Sequence, residues 1–169
     1  MPRYRIDAGK LTVRARSRLH DTTTVWSKVT GQAEADPQTL STEGAKANFT
    51  VDMTAFDAGD WLKNRKLKSD FAMDSHPRAT FELRSVSDVV RDPASGGFTA
   101  NAEGVLRWRG KEVVLELAGR GTLDAMRLEA SATFELDIRH LGLQAPRFLM
   151  IKMDDEVTVE VTVRGTVVP

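Results

Sequence analysis

Apolar and polar residues alternate with a period of two along most of this chain, the pattern of strands with one buried face. Near the N-terminus Leu11, Val13 and Ala15 alternate with Thr12, Arg14 and Arg16. A Thr-rich turn at 21–24 leads to a second run that places Val25, Ser27, Val29, Gly31, Ala33 and Ala35 on one face. Asp36-Pro37 ends it. Ala45, Ala47, Phe49, Val51 and Met53 form a third run. Alternation resumes with Ala79, Phe81 and Leu83 and continues through Val86 to about Val89. The turn residues at 91–97 carry hairpin chemistry, and Ala100, Ala102, Gly104, Leu106 and Trp108 follow on one face. A tight turn at Arg109-Gly110 precedes Val113, Leu115 and Leu117. The cleanest run sets Met126, Leu128, Ala130, Ala132, Phe134, Leu136 and Ile138 against polar neighbours. Val157, Val159, Val161 and Val163 complete the series. These segments predict about eight antiparallel strands in one all-β domain spanning residues 1–169. Closure into a barrel is favoured over a sandwich, because it removes exposed edges.

The stretch from 51 to 83 interrupts that alternation and organises what lies around it. Asp57 offers a helix N-cap, and Asp60 adds an acid to the first turn, where backbone N–H groups lack partners. A short helix follows through Trp61, Leu62 and Leu67, carrying Lys63, Arg65, Lys66 and Lys68. Such a basic face is either a solvated surface or a contact for anionic lipid headgroups. Pro77 ends helical geometry and pushes His76 toward extended backbone. A second irregular segment, 141–153, is apolar without either period, so it must bury that surface, and a barrel mouth is the natural place.

Composition narrows the function classes. Lys+Arg and Asp+Glu are both 24, so the basic surplus of a general nucleic-acid binder is missing. With no Cys, disulfides, thiolate metal sites and Cys nucleophiles are excluded. His20, His76 and His140 lie far apart, without metal-ligand spacing. Neither a metal, a cofactor nor a catalytic set is expected. The polar start has no apolar h-region and no run reaches membrane-span length, so a cytoplasmic location is expected, or a periplasmic or secreted one if a leader was removed.

The inward faces suggest what the barrel is for. Ala15, Ala33, Ala35, Ala47, Ala102, Gly104, Ala130 and Ala132 are small and share their faces with Phe49, Phe81, Leu106, Trp108 and Phe134. Small set against large residues describes a packed interior equally well as a narrow apolar cavity. Each buried methylene contributes about 0.8 kcal/mol. Roughly ten of them reach about 8 kcal/mol, on the order of micromolar binding before ordering costs.

The order of motifs carries a resemblance. Tyr4-Arg5-Ile6-Asp7, Phe49-Thr50-Val51-Asp52, Phe56-Asp57-Ala58-Gly59 and Leu67-Lys68-Ser69-Asp70-Phe71 come in sequence. His76-Pro77-Arg78-Ala79-Thr80-Phe81, Gly104-Val105-Leu106, Arg109-Gly110, Arg139-His140-Leu141-Gly142-Leu143 and Asp155-Glu156-Val157 follow. Together they resemble the YceI-like family of lipocalin-like, polyisoprenoid-binding barrels over nearly the whole chain. Three departures stand out. Lys63-Asn64-Arg65-Lys66-Leu67 replaces an Arg-Asp-x-His-Leu run, Ala72 replaces a second Phe, and Arg109 replaces a hairpin His.

The resemblance implies binding, storage or transport of an isoprenoid, fatty acid or similar lipid in the barrel interior. Val13, Phe49, Val51, Met53, Phe81, Leu83, Leu106, Trp108, Leu128, Ala130, Ala132 and Phe134 are expected along the wall. Phe56, Trp61, Leu67, Phe71, Leu141, Phe148 and Met150 are expected in the covering segments. The partners implied are an apolar small molecule, no nucleic acid, at most a transient membrane contact, and a homodimer as one admissible assembly. Two rivals stand beside this reading. One is a hydrolase or isomerase that acts on a lipid-like substrate through His140; the other is a solidly packed stress or scaffold protein.

Overall fold

The alternating segments become long antiparallel strands that hydrogen-bond into a ring. A computed structural model describes residues 1–38, 40, 45–148 and 150–169. In chain order the elements begin with β1 (Arg3–Arg16), β2 (Asp21–Trp26), β3 (Val29–Glu34), β4 (Lys46–Asp52) and β5 (Phe56–Asp57). The helix α1 (Trp61–Asp70) follows, then β6 (Arg78–Asp92), β7 (Gly97–Trp108), β8 (Lys111–Leu123) and β9 (Arg127–Asp137). A 3-10 turn (Ile138–Leu141), the short β10 (Arg147–Phe148) and β11 (Ile151–Lys152), and β12 (Glu156–Val167) end the chain. Neighbours run β12-β9-β8-β7-β6-β4-β3-β1, and β1 pairs again with β12, so the sheet closes as an eight-stranded antiparallel barrel. The expected fold is borne out.

Register explains why the apolar faces coincide. Val161 sits opposite Leu11 on one side and Ala132 on the other, and Phe81 sits opposite Phe49 and Leu106. A slip of one residue would turn any of these sets to solvent.

Three expectations need correction. The run from Val25 to Ala35 is not one face, because the strand breaks at Ser27 and Lys28, where the Ser27 N–H donates to the Ala55 carbonyl. Thr22, Thr24 and Trp26 are buried before the break and Val29 and Ala33 after it, while Val25 turns away and Ser27 is exposed. The helix N-cap is Asp60, which accepts the Lys63 N–H at 2.9 Å; Asp57 instead accepts the Gly59 N–H at 2.8 Å. Met126 is exposed rather than inward, because the Asp124 carboxylate accepts the N–H groups of Met126 and Arg127 and holds that end as a turn.

The barrel is unevenly sealed. β8 and β9 pair over residues 118–123 and 128–133, and beyond them the two strands part. The 3-10 turn packs beside β8 at that end, with Ile138 and Leu141 buried.

Candidate functional site: an apolar cavity between two packed ends

Burial along the inward faces follows a repeated sequence. On β4 and just past it, Ala47 is buried, Phe49 and Val51 are half accessible, and Met53 is buried. On β9, Leu128 is buried, Ala130, Ala132 and Phe134 are half accessible, and Leu136 is buried. On β6, Ala79 and Val86 bracket Phe81 and Leu83. Inward side chains that remain accessible within a closed barrel border empty space. The barrel is packed at both ends and hollow between them.

One end is built from Trp26, Met53, Leu67, Met73, Trp108 and the buried part of 138–153. Its polar groups point into backbone: Trp26 Nε1 donates to the Met53 carbonyl at 3.1 Å and Trp108 Nε1 to the His76 carbonyl at 2.8 Å. Arg109, at φ 58 in the hairpin turn with Gly110, donates to the Phe71 carbonyl at 2.5 Å and lies 5.8 Å from the Trp108 ring. The guanidinium thereby holds the loop after α1 against the barrel. At the opposite end Tyr4, Ile6, Leu40, Leu123 and Leu128 pack together. There the Tyr4 hydroxyl donates to the Asp124 carbonyl at 2.5 Å, and Arg91 donates to the carbonyls of Gly96 at 3.1 Å, Leu123 at 3.2 Å and Pro37. Burial, then the nearby Asp124 charge, raises the Tyr4 pKa and keeps the hydroxyl protonated as a donor.

The hollow has a volume of about 250 Å3. Phe49 and Phe81 stack on its wall with ring centroids 6.1 Å apart, and Phe71 meets Trp108 edge-on at 6.4 Å. Arg120 and Ser131, paired across β8 and β9, border it; the rest of the lining is apolar side chains and Gly119. A wider depression of about 910 Å3 carries exposed charges such as Lys10, Asp92, Glu129 and Arg164 and shares Phe98, Arg120, Ala130, Ser131 and Val163 with the lining of the hollow. The hollow therefore offers dispersion contacts and little directed hydrogen bonding, which suits hydrocarbon.

Val13, Phe49, Val51, Met53, Phe71, Phe81, Leu106, Trp108, Ala130, Ala132, Phe134 and Leu141 line this space. Other expected residues do not. Leu67 and Leu128 are buried inside the two packed ends, and Leu83 packs on the second end. Phe56 packs outside the lining, against Trp26 at 5.9 Å. Trp61 and Met150 are exposed, at 67% and 91%, because their segments turn these side chains to solvent. The Phe148 side chain lies outside what is described. Sequence reading left out Trp26, hidden by the break at Ser27, and Phe98, hidden by the hairpin turn beside it. The valines of β12 and Leu143 were legible as apolar but carried no sign that they border the hollow.

His140 is exposed. Its neighbour Asp137 is held by Arg139, whose Nε and Nη2 donate at 3.0 and 2.7 Å, and that pairing lowers the Asp137 pKa to about 2.

A closed antiparallel barrel around an apolar cavity defines a lipocalin-like protein. The sequence matches the YceI-like domain over residues 4–164, and the chain belongs to that family. Solved structures share the fold at low identity. A polyisoprenoid binding domain from Saccharophagus degradans, described as implicated in plant cell wall breakdown, superposes with a TM-score of 0.76 at 14% identity, covering 98% of each chain. BcnA of Burkholderia cenocepacia gives 0.74 at 19%, covering 92% of this chain and 95% of that one. The Campylobacter jejuni YCEI protein gives 0.69 at 13%, covering 89% and 88%. No curated protein sequence matches the chain.

Proposed function

We propose that the protein binds one apolar, chain-like molecule, an isoprenoid or fatty-acid-like lipid, inside the barrel, and stores or carries it without changing a bond. The carrying observation is the run of buried, accessible and buried inward residues along β4, β6 and β9, which, with the apolar lining contributed by the other strands, makes the centre of the barrel a void lined by apolar groups. Kinship with the YceI-like family and the described ligand class of the Saccharophagus neighbour support the same reading. The ligand enters by displacing part of the apolar plug. A transient membrane contact through the exposed Trp61 and Leu62 of α1 would bring it there.

Mass spectrometry of an organic extract from gently purified protein tests this directly, together with titration of a fluorescent long-chain probe. A co-purifying lipid and saturable probe binding are expected; absence of both overturns the reading. His140→Ala should leave probe binding within a few-fold, since an exposed imidazole adds little to an apolar cavity. If the wild type hydrolysed lipid esters and this variant did not, an enzyme acting through His140 would replace the carrier.

A further inference from the structure

We infer that the cavity selects its ligand by chain length, and that Phe81, seated over Gly104, sets the volume into which the chain must fit. The inference rests on the carrier reading above. An apolar void of 150 Å3 holds benzene, a six-carbon molecule, so 250 Å3 corresponds by proportion to about ten carbons. Both ends are plugged by packed side chains tied to backbone carbonyls, so a longer chain gains no enclosed contact unless a plug moves or its tail leaves by the gap where β8 and β9 part. With so little polarity in the wall, length is the property such a site reads.

Phe81 has a specific seat. A Cβ built on Gly104 would lie 2.1 Å from its Cζ and 2.4 Å from its Cε2, so the ring fills the place a side chain at 104 would take. It lies along the wall, stacked beside Phe49, instead of crossing the lumen. Gly104→Ala evicts the ring, and the accessible side open to it is the cavity. Removing the ring does the reverse and widens the void, giving a flexible chain room for further carbons. Two substitutions at one contact therefore change the cavity in opposite directions.

The test is a titration with straight-chain alcohols from about six to about sixteen carbons, displacing a fluorescent probe. Within the cavity each methylene should tighten binding about fourfold; beyond about ten carbons the gain should vanish. Phe81→Ala should move this break to longer chains and Gly104→Ala to shorter ones, with melting curves recorded alongside. Since the Glu82 carbonyl also lies 2.8 Å from the added Cβ, Gly104→Ala can fail to fold. Phe81→Leu then supplies the milder enlargement, again moving the break to longer chains. A dissociation constant that keeps falling through sixteen carbons, or a break unmoved in Phe81→Ala and Phe81→Leu, overturns the inference while leaving a carrier in place. No binding of any alcohol by the wild type overturns the carrier reading itself.

Discussion

Asp137 stands where β9 ends and the 3-10 turn begins, and its carboxylate accepts the Arg139 backbone N–H at 3.0 Å as well as the guanidinium. It thus starts the turn that supplies Ile138 and Leu141 to the plug. The side-chain bond from Arg139, then its backbone N–H, lowers the pKa from 3.8 to about 2. A carboxyl lowered on folding contributes stability above its unfolded value and loses it as pH falls through the folded value. Melting temperature should therefore fall between about pH 4 and pH 2 as Asp137 protonates, and Asp7, Asp52, Asp92 and Asp124, also lowered by hydrogen bonds, add to the loss in acid in the same direction. Asp137→Asn should start from a lower melting temperature at neutral pH and lose less across that window. An unchanged slope in the variant would show that the Arg139 pair does not couple to folding. The caps show what single residues conceal in sequence. Asp57 and Asp60 are both competent acceptors three residues apart, and Gly59 at φ 105 between them decides that Asp57 closes a turn and Asp60 starts the helix.

At the scale of elements, α1 packs on the barrel chiefly through Leu67 and leaves Trp61 and Leu62 exposed at 67% each. Arg65 stacks on Trp61 at 5.6 Å, while Lys66 and Lys68 pair with Asp70 and Asp74. An exposed Trp-Leu pair beside a cation suits the interface of an anionic bilayer, where an amphipathic ring sits at headgroup depth. Trp61→Glu with Leu62→Glu should abolish co-sedimentation with phosphatidylglycerol vesicles, and each change should alter stability by no more than about 0.5 kcal/mol, as for other surface changes. Equal sedimentation by variant and wild type would remove the membrane contact from the mechanism. Elements with a clear period were legible in sequence: β4, β9 and β12 put the expected residues inward. What escaped were breaks in phase. The interruption at Ser27 and Lys28 arises because β2 and β3 pair with different parts of β1, and the irregularities of β6 after Leu83 lie in its register with β7; neither is recorded in the period of a single strand.

Across the whole molecule, closure was legible because it removes the exposed edges that so many half-apolar strands would otherwise present. Hollowness was not. Whether Ala130 and Ala132 sit against partners that fill their space depends on where Phe49, Phe81 and Phe134 point, and that is a property of the closed ring. Ala132 faces Val161 on β12 and Gly119 on β8, and it remains half accessible inside the barrel. In a filled core, Ala132→Phe would overpack and cost typically about 1–3 kcal/mol. In this barrel the new ring can occupy the space a ligand tail would take. Denaturation midpoints should therefore change little, while uptake of a fluorescent long-chain probe should fall at least about tenfold, since the ring displaces several methylenes of contact. The two quantities move oppositely under the two architectures. A strongly destabilised Ala132→Phe, together with no probe uptake by the wild type, would establish a packed barrel and end the case for a carrier.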